Sequence, residues 1–245
     1  MIQASVLLIG AGGIGCGAAL ALAASGVARI GVLDDDRVDE SNLQRQILHS
    51  DTSVGQLKTD SLAATLDRRF PGVRVDVHPE RLTTENALRL FGAYDAIIDG
   101  SDNLGTKFLA NDAAVLSGKP LVHAAAVGVI GHVLLVRPGG RPCYRCFFEE
   151  LPPPDSDAPS CAEAGVLGPI PGAIGALAAR EAILFLQDPR TDSTGVLFRY
   201  DSPPMTTRTI KFHANPECRV CGVAPGIGSL RPEAYSHNLK ILECS

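Results

Sequence analysis

Four cysteines in two C-x-x-C pairs are the residues whose types and spacing point most directly to a metal. The pairs are Cys143-Tyr-Arg-Cys146 and Cys218-Arg-Val-Cys221. Each pair can bring two thiolates to one ion from a single turn, and two pairs complete the tetrahedral four-cysteine shell that zinc prefers. Because 72 positions separate Cys146 from Cys218, the spacing is too long for a zinc finger or ribbon. It predicts a structural zinc that ties the end of the chain to its middle.

A glycine-rich turn near the N-terminus has the composition of a phosphate-binding loop. It contains Gly10, Gly12, Gly13 and Gly15, which fit the pattern G-x-G-x-x-G between a predicted strand and a predicted helix. Glycines let the backbone approach a phosphate, and the start of the helix supplies amide donors and the positive end of a dipole. Asp34 ends the next strand, 19 positions after Gly15, where a carboxylate that binds a ribose is expected. The turn predicts a nucleotide site without saying which nucleotide.

Charged residues beyond the second strand favour phosphoryl or nucleotidyl transfer over hydride transfer. Arg45 lies in the segment Ser41-Asn-Leu-Gln-Arg45-Gln46, Lys58 lies near the start of the following helical segment, and Asp102-Asn103 follow a buried strand. In a parallel sheet these loops meet at the carboxyl ends of the strands, where ligands bind. Cations offset the charge of a triphosphate, and a carboxylate can hold Mg2+. An NAD-dependent dehydrogenase would leave these residues and the cysteine pairs unexplained.

The segments that must position these residues alternate between strand and helix. Strands are predicted at 6–10, 29–33, 73–77, 94–98 and 120–125, and helices at 14–25, 54–70, 84–91 and 103–117. After Val127 the pattern changes to strands at 130–136, 195–200 and 206–212, with a helix at 172–187. The predicted fold class is α/β: a Rossmann-like, doubly wound, mostly parallel sheet extended by antiparallel strands in the C-terminal half, with a structural zinc site.

Composition is that of an ordinary globular chain. Of 245 residues, 45% are hydrophobic, and 22 basic against 27 acidic residues give a net charge of −5. This balance argues against a nucleic-acid or membrane surface. The most apolar window, 10–28, is too rich in glycine and alanine for a membrane span. Seven cysteines without a recognisable signal peptide favour a reducing, cytoplasmic location, in which metal binding explains the pairs better than disulfides do.

Taken together, the motifs resemble those of the MoeB and ThiF adenylating enzymes, which belong with the ubiquitin-activating enzymes. The resemblance rests on the glycine turn, Asp34-x-Asp36-x-Val38, Ser41-Asn-Leu-x-Arg45-Gln46, Lys58, Asp102-Asn103 and the two cysteine pairs, and it extends over about 6–222. The cysteine pairs match the structural zinc site of that family. Cys161-Ala-Glu-Ala-Gly165, followed by Val-Leu-Gly-Pro, resembles the family's segment after its crossover loop.

The resemblance implies a function. The chain would use ATP and Mg2+ to adenylate the C-terminal glycine of a small ubiquitin-like sulfur-carrier protein that ends in Gly-Gly, releasing pyrophosphate before a thiocarboxylate forms. It would form a homodimer, with a sulfurtransferase or cysteine desulfurase as a further partner. By motif match, the residues that would bind the nucleotide are Gly10, Gly12, Gly13, Gly15, Asp34, Asp36, Ser41, Asn42, Arg45, Lys58, Asp102 and Asn103. Of these, Arg45 and Lys58 would stabilise phosphate charge and Asp102 would position the metal.

The same resemblance implies one domain, 1–245, with a nucleotide-binding half (1–125) and a zinc-bearing, carrier-binding half (126–245). It gives Cys161 two possible roles. The matching cysteine forms a persulfide link with the carrier in ThiF-like enzymes, whereas it has no essential role in MoeB-like enzymes. Adenylation depends on positioning and electrostatics rather than acid–base chemistry, so His49, His123 and His132 are predicted to be structural. Cys16 is predicted to be a small buried hydrophobe and Cys244 a bystander.

Two departures from the family pattern concern basic residues. Lys107 stands where the family has an arginine after Asp-Asn-x-x-Thr, so the charge remains but the two-pronged guanidinium is lost. The family's N-terminal arginine, which reaches the partner subunit's ATP, has no counterpart before the first strand. Another basic residue, a shortened natural variant or weakened adenylation would each account for this.

Other functions stay open at the level of sequence. The same fold could adenylate a different carboxylate, such as a peptide C-terminus or an RNA-linked amino acid. It could also serve as a scaffold that binds the carrier with little turnover. The sequence does not distinguish a molybdopterin, thiamine, cysteine, tRNA or secondary-metabolite pathway.

Overall fold

The computed structural model describes residues 2–150, 165–190 and 193–235. Its strands are β1 (Ile2–Ile9), β2 (Val27–Leu33), β3 (Arg74–His78), β4 (Ala96–Asp99), β5 (Leu121–Val127), β6 (Ile130–Val136), β7 (Val196–Asp201) and β8 (Thr206–Lys211). They form one sheet in the order β3-β2-β1-β4-β5-β6-β7-β8. The first five strands are parallel, and β6, β7 and β8 each pair antiparallel with the strand before them. This confirms the predicted Rossmann-like sheet with an antiparallel extension.

Helices cover both faces of the sheet. They are α1 (Gly13–Ala24), α2 (Lys58–Arg69), α3 (Ala87–Gly92), α4 (Leu104–Ser117), α5 (Tyr144–Phe148) and α6 (Pro169–Gln187). Side chains alternate along β1, so Val6 and Leu8 pack with α1, α2 and α6, whereas Leu7 and Ile9 pack with α3 and α4. This two-sided burial is why the parallel strands read as continuous apolar runs.

Helices α1 and α6 cross with their backbones in contact. A Cβ atom at Gly17 would lie 2.4 Å from the carbonyl oxygen of Gly172, and one at Gly175 would lie 2.1 Å from the carbonyl oxygen of Ile14. Only glycine fits at these two positions. Helix α6 is long and apolar enough to span a membrane by length and composition. Its residues Ile174 and Ala178 are fully buried in the core, however, as is typical of a central helix in an α/β domain.

Some predicted boundaries are wrong. The helix predicted at 54–70 begins only at Lys58, because Gly55 has a positive φ and its N–H bonds to the carbonyl of Val38, which holds 54–57 in a turn. The helix predicted at 84–91 begins at Ala87, because the Asn86 side chain accepts a hydrogen bond from the N–H of Thr83 and closes a turn there. The short helix α5, which carries Cys146, was not predicted.

Candidate nucleotide site and cysteine cluster

A cleft of about 660 Å3 opens at the carboxyl ends of the parallel strands. It lies where the strand order reverses between β1 and β4, the place where open α/β sheets bind ligands. Its volume is within the usual range for small-molecule sites. Of the residues predicted to bind the nucleotide, all except Gly15 line the cleft: Gly10, Gly12, Gly13, Asp34, Asp36, Ser41, Asn42, Arg45, Lys58, Asp102 and Asn103.

The glycine turn gives the cleft its floor. Gly10 has a φ of +92°, which favours glycine. A Cβ atom at Gly15 would lie 1.9 Å from the carbonyl oxygen of Gly10. Gly15 therefore does not line the cleft, but it allows α1 to pack closely against the turn. Helix α1 begins at Gly13, and its first N–H groups and dipole favour an anion at that point.

Asp34 is half-buried at the end of β2 and organises the turn. Its carboxylate accepts hydrogen bonds from the N–H of Ala11 at 2.7 Å and from the N–H of Asp36 at 2.8 Å. Burial raises the pKa of Asp34, and these two bonds oppose that rise. A carboxylate has about four acceptor positions. Asp34 can therefore keep both bonds and still accept from a ribose hydroxyl.

The two predicted phosphate cations lie in the cleft, each beside a polar partner. The buried Lys58 ammonium lies 2.8 Å from Oδ2 of Asp36, a carboxylate that is half exposed. One Arg45 guanidinium nitrogen donates to Oδ1 of Asn42 at 2.5 Å. Asn42 is itself buried, so it fixes the direction of Arg45. Both positive charges therefore line the same cleft.

Asp102 and Asn103 line the cleft from the segment that follows β4. Asp102 is exposed to the cleft, where the surrounding protein partly desolvates its carboxylate and raises its pKa. A bound cation would favour the ionised carboxylate. The Asn103 side chain caps α4 by accepting the N–H of Thr106 at 2.7 Å. Ser41 faces the cleft, but its hydroxyl donates to Asp39 at 2.6 Å. The roles predicted for these side chains toward ATP stay predictions.

Other residues of the cleft were not among the predicted ligands. Gln46 is buried, and its Oε1 atom has no hydrogen-bond partner within the described part of the chain. Glu80, Arg81 and Leu82 line the cleft from the segment after β3. The signal that could have found them is topological, since β3 is parallel to β2 and its carboxyl end lies at the same edge of the sheet.

The four predicted zinc ligands converge away from the cleft. The Sγ atoms of Cys143, Cys146, Cys218 and Cys221 all lie within 4.8 Å of one another. Cys143 and Cys218 are 3.6 Å apart, and Cys146 and Cys221 are 3.4 Å apart. Tetrahedral ligands about 2.3 Å from zinc would be roughly 3.8 Å apart. The cluster therefore has the size and chemistry of a closed zinc site.

Hydrogen bonds join the cysteine cluster to α4. Asn111 donates to the sulfur of Cys143 at 3.7 Å and accepts from the N–H of Tyr144 at 2.9 Å. Arg145 makes a two-pronged pair with Asp112, with both distances 2.8 Å. Both partners of this pair are buried. These bonds fasten the middle of the chain to the helix that begins at the cleft, and the Tyr235 hydroxyl, which donates to Asp112 at 2.9 Å, joins the C-terminal region to the same helix.

A comparison with protein families settles the lineage, because a model of the ThiF family matches residues 1–220. The chain belongs to the ThiF family. This confirms the family that the motifs indicated.

Curated relatives of this ThiF-family chain have consistent names. It is 44% identical over 229 residues to the sulfur carrier protein adenylyltransferase of Thermus thermophilus, covering 91% of this chain and 84% of that protein. It is 39% identical over 241 residues to the SAMP-activating enzyme E1 of Haloferax volcanii, covering 98% and 88%. It is 43% identical to the adenylyltransferase and sulfurtransferase MOCS3 of Anopheles gambiae, covering 93% of this chain but only 52% of that protein. The chain thus spans about half the length of its MOCS3 relatives.

Solved structures confirm the ThiF-family fold. Escherichia coli MccB in complex with MccA-N7isoASN superposes with a TM-score of 0.78 at 24% sequence identity, covering 89% of this chain and 67% of that chain. MccB with ATP gives a TM-score of 0.74 at 25% identity, covering 90% and 67%. At this level of identity the likeness concerns the architecture of the sheet and its helices.

The histidines predicted to be structural and the cysteines outside the cluster can now be placed. No histidine lines the cleft within the described ranges: His49 bonds to the carbonyl of Ala11 and to Ser61 behind the glycine turn, and His123 bonds to Asp99. Cys16 is fully buried, and burial raises the pKa of its thiol to about 12. Cys161 and Cys244 lie outside the described residues, so the persulfide role of Cys161 stays a prediction.

Proposed function

We propose that this chain catalyses the ATP-dependent adenylation of the C-terminal glycine of a small ubiquitin-like sulfur-carrier protein. The observation that carries the proposal is the meeting of Arg45, Lys58 and Asp102 in one cleft beside a glycine turn. The names of the relatives that are 39–44% identical support it. The products would be an acyl-adenylate and pyrophosphate.

The cleft suits this reaction because it offers positioning and charge, whereas the attacking carboxylate is already ionised and needs no general base. The start of α1 and the cations Arg45 and Lys58 would hold the phosphates. Lys58 would exchange its contact with Asp36 for a phosphate oxygen, since Asp36 is half exposed and can return to water. A carboxylate oxygen of the terminal glycine attacks the α-phosphorus, the bond from that phosphorus to the β-phosphate oxygen breaks, and pyrophosphate leaves with the electron pair.

Two metals would have separate tasks. Asp102 would hold Mg2+ beside the phosphates, where the ion would supply charge compensation, and the raised pKa of Asp102 fits a carboxylate that gains from a nearby cation. The four cysteines would hold a structural zinc, because a closed shell of four thiolates leaves no open position for catalysis. Assembly as a homodimer, sulfur delivery by a sulfurtransferase or cysteine desulfurase, and a cytoplasmic location complete the proposal.

ATP–pyrophosphate exchange with purified carrier proteins ending in Gly-Gly tests the proposed function. Exchange should require both the carrier and its terminal glycine. Lys58→Met, which keeps the aliphatic stem and removes the charge, should lower the exchange rate at least a hundredfold, since electrostatic groups of this kind contribute about 10²–10³ in rate. Lys211→Met is the matched control, because Lys211 is exposed on β8 at the far end of the sheet.

The rival functions give different results in the same assay. Exchange that needs a short peptide or a charged tRNA instead of a carrier would indicate another carboxylate substrate. Carrier binding without formation of AMP would indicate a scaffold. Equal rates for Lys58→Met and wild type would refute the role of the cleft.

A further inference from the structure

A buried carboxylate lies directly behind the loop that carries Asp102. Asp99 ends β4 and is fully buried. Its Oδ1 atom accepts hydrogen bonds from the backbone N–H of Ser101 at 2.9 Å and from the Ser101 hydroxyl at 2.5 Å. Because Ser101 directly precedes Asp102, these two bonds fix the start of the segment that carries Asp102 into the cleft.

The other oxygen of Asp99 is held by two side chains from different elements. Lys107, on α4, places its ammonium 3.2 Å from Oδ2 and donates to the carbonyl of Ala124 at 2.8 Å. His123, on β5, places Nδ1 2.8 Å from the same oxygen. Both side chains are buried. Burial alone would raise the pKa of Asp99, but Lys107 and His123 hold that pKa far below its usual range.

The protonation of His123 follows from its partner. An ionised carboxylate only accepts hydrogen bonds, so Nδ1 carries the proton and Nε2 is a bare acceptor. Burial lowers the pKa of His123 and keeps the ring neutral. The network therefore contains one negative and one positive charge, with His123 adding a donor and no charge.

A recess of about 30 Å3 lies beside the pair. Lys107 and His123 line it together with His132, Tyr144, Leu134, Leu197, Phe148, Ala124 and Ala125. The Nε2 atom of His123 is buried without a hydrogen-bond partner among the described residues. The recess has room for a water molecule or for a wider head group at position 107.

We propose that Lys107 and His123 together give Asp99 the two hydrogen-bond donors that a single arginine could give, an arrangement that we call a divided fork. All three residues would then be positioning residues for Asp102. An arginine at position 107 could give two parallel N–H bonds to one carboxylate, whereas a lysine is a single point of charge. His123 supplies the second donor, and the recess is the space that a guanidinium would take. The inference rests on the proposed function only in assigning Asp102 to the metal.

Two replacements of nearly equal size separate the donor of His123 from its bulk. His123→Asn places an amide donor near the position of Nδ1, whereas His123→Leu places a methyl group there. The measurement is the Mg2+ concentration for half-maximal ATP–pyrophosphate exchange and, separately, for ATP binding by calorimetry. His123→Leu should raise that concentration roughly tenfold, as expected for the loss of one hydrogen bond to a charged group. His123→Asn should stay near wild type. His132→Leu is the control, because His132 lines the same recess and pairs with Arg199 rather than Asp99.

Placing both donors on residue 107 provides the decisive comparison. Adding Lys107→Arg to His123→Leu should return the Mg2+ dependence to within a few fold of wild type. A double variant no better than His123→Leu would overturn the divided fork. If His123→Leu lowers only the melting temperature and leaves the Mg2+ dependence unchanged, the positioning role is wrong.

Two further measurements keep these outcomes interpretable. If His123→Leu does not fold, Ser101→Ala removes one bond to Asp99 from the cleft side and should raise the Mg2+ requirement several-fold. An unchanged requirement would again refute the positioning role. If no carrier supports exchange while wild type binds ATP with Mg2+, the proposed function fails, and calorimetry alone still decides the role of Asp99.

Discussion

The contact between α1 and α6 gives a prediction that depends on geometry alone. Replacing Gly17 by alanine would place a Cβ atom 2.4 Å from the carbonyl oxygen of Gly172 and 2.8 Å from its Cα atom. Both obstacles are backbone atoms, so the helices must separate by about 1 Å. Overpacking of this kind costs roughly 1–3 kcal/mol or more. The gain of about 0.5–1 kcal/mol from replacing a glycine inside a helix offsets only part of this cost.

Gly172→Ala is the matched control for Gly17→Ala. Gly172 lies on the other side of the same helix contact, but nothing lies within 4 Å of the position that its Cβ atom would take. At roughly 2–4 °C per kcal/mol for a chain of this size, a net cost of about 2 kcal/mol means that Gly17→Ala should lower the melting temperature by about 4–8 °C. Gly172→Ala should leave the melting temperature unchanged or slightly higher.

Thermal unfolding followed by circular dichroism, with denaturant titration as a second measure, tests the pair. Gly175→Ala should behave like Gly17→Ala, because its Cβ would lie 2.1 Å from the carbonyl oxygen of Ile14. Equal melting temperatures for Gly17→Ala and Gly172→Ala would refute the backbone contact. Gly17→Ala and Gly175→Ala should also show reduced ATP affinity, since α1 and α6 both begin beside the cleft.

Three other perturbations test the cluster, the buried ion pair and the glycine turn. A strong chelator, or Cys218→Ser, should lower the melting temperature sharply, because metal binding at such sites supplies on the order of 10 kcal/mol to folding; an unchanged melting curve would exclude a structural metal. Asp112→Ala should cost about 3–5 kcal/mol by leaving Arg145 buried and unpaired, whereas removing the exposed partner Asp188 from its pair with Arg190 should change the melting temperature little. Burial lowers the pKa of His49 in the folded chain, so the unfolded chain binds a proton on this residue at a higher pH than the folded chain does. The contribution of neutral His49 to stability is therefore complete above pH 6.5 and is lost as pH falls below that value. The loss is about 1.4 kcal/mol for each unit by which the folded and unfolded pKa values differ. Stability measured from pH 7.5 to 5.0 should therefore fall less steeply in His49→Gln than in wild type; parallel curves would contradict this assignment.

The local features of the site could be predicted from the sequence because short-range chemistry sets them. The turn from Gly10 to Gly15 needs glycine for the positive φ of Gly10 and for the close packing of Gly15, and each need shows in the sequence itself. The two C-x-x-C pairs have a spacing that few functions other than metal binding require. Parallel strands then bring Arg45, Lys58 and Asp102 to one edge of the sheet, because their loops all follow carboxyl ends.

Only the tertiary structure decided the partners of those residues. Neither the contact of Lys58 with Asp36 nor the packing of Gly17 on α6 has a signature in the local sequence, because both join segments that are distant along the chain. The same holds for Asp99, whose donors Lys107 and His123 come from a helix and a strand that meet only when the sheet has formed. Sequence determined which residues could hold a nucleotide and a metal, since residue type and spacing fix local chemistry. Tertiary structure decided which charges neutralise one another, since that depends on distances between separate elements.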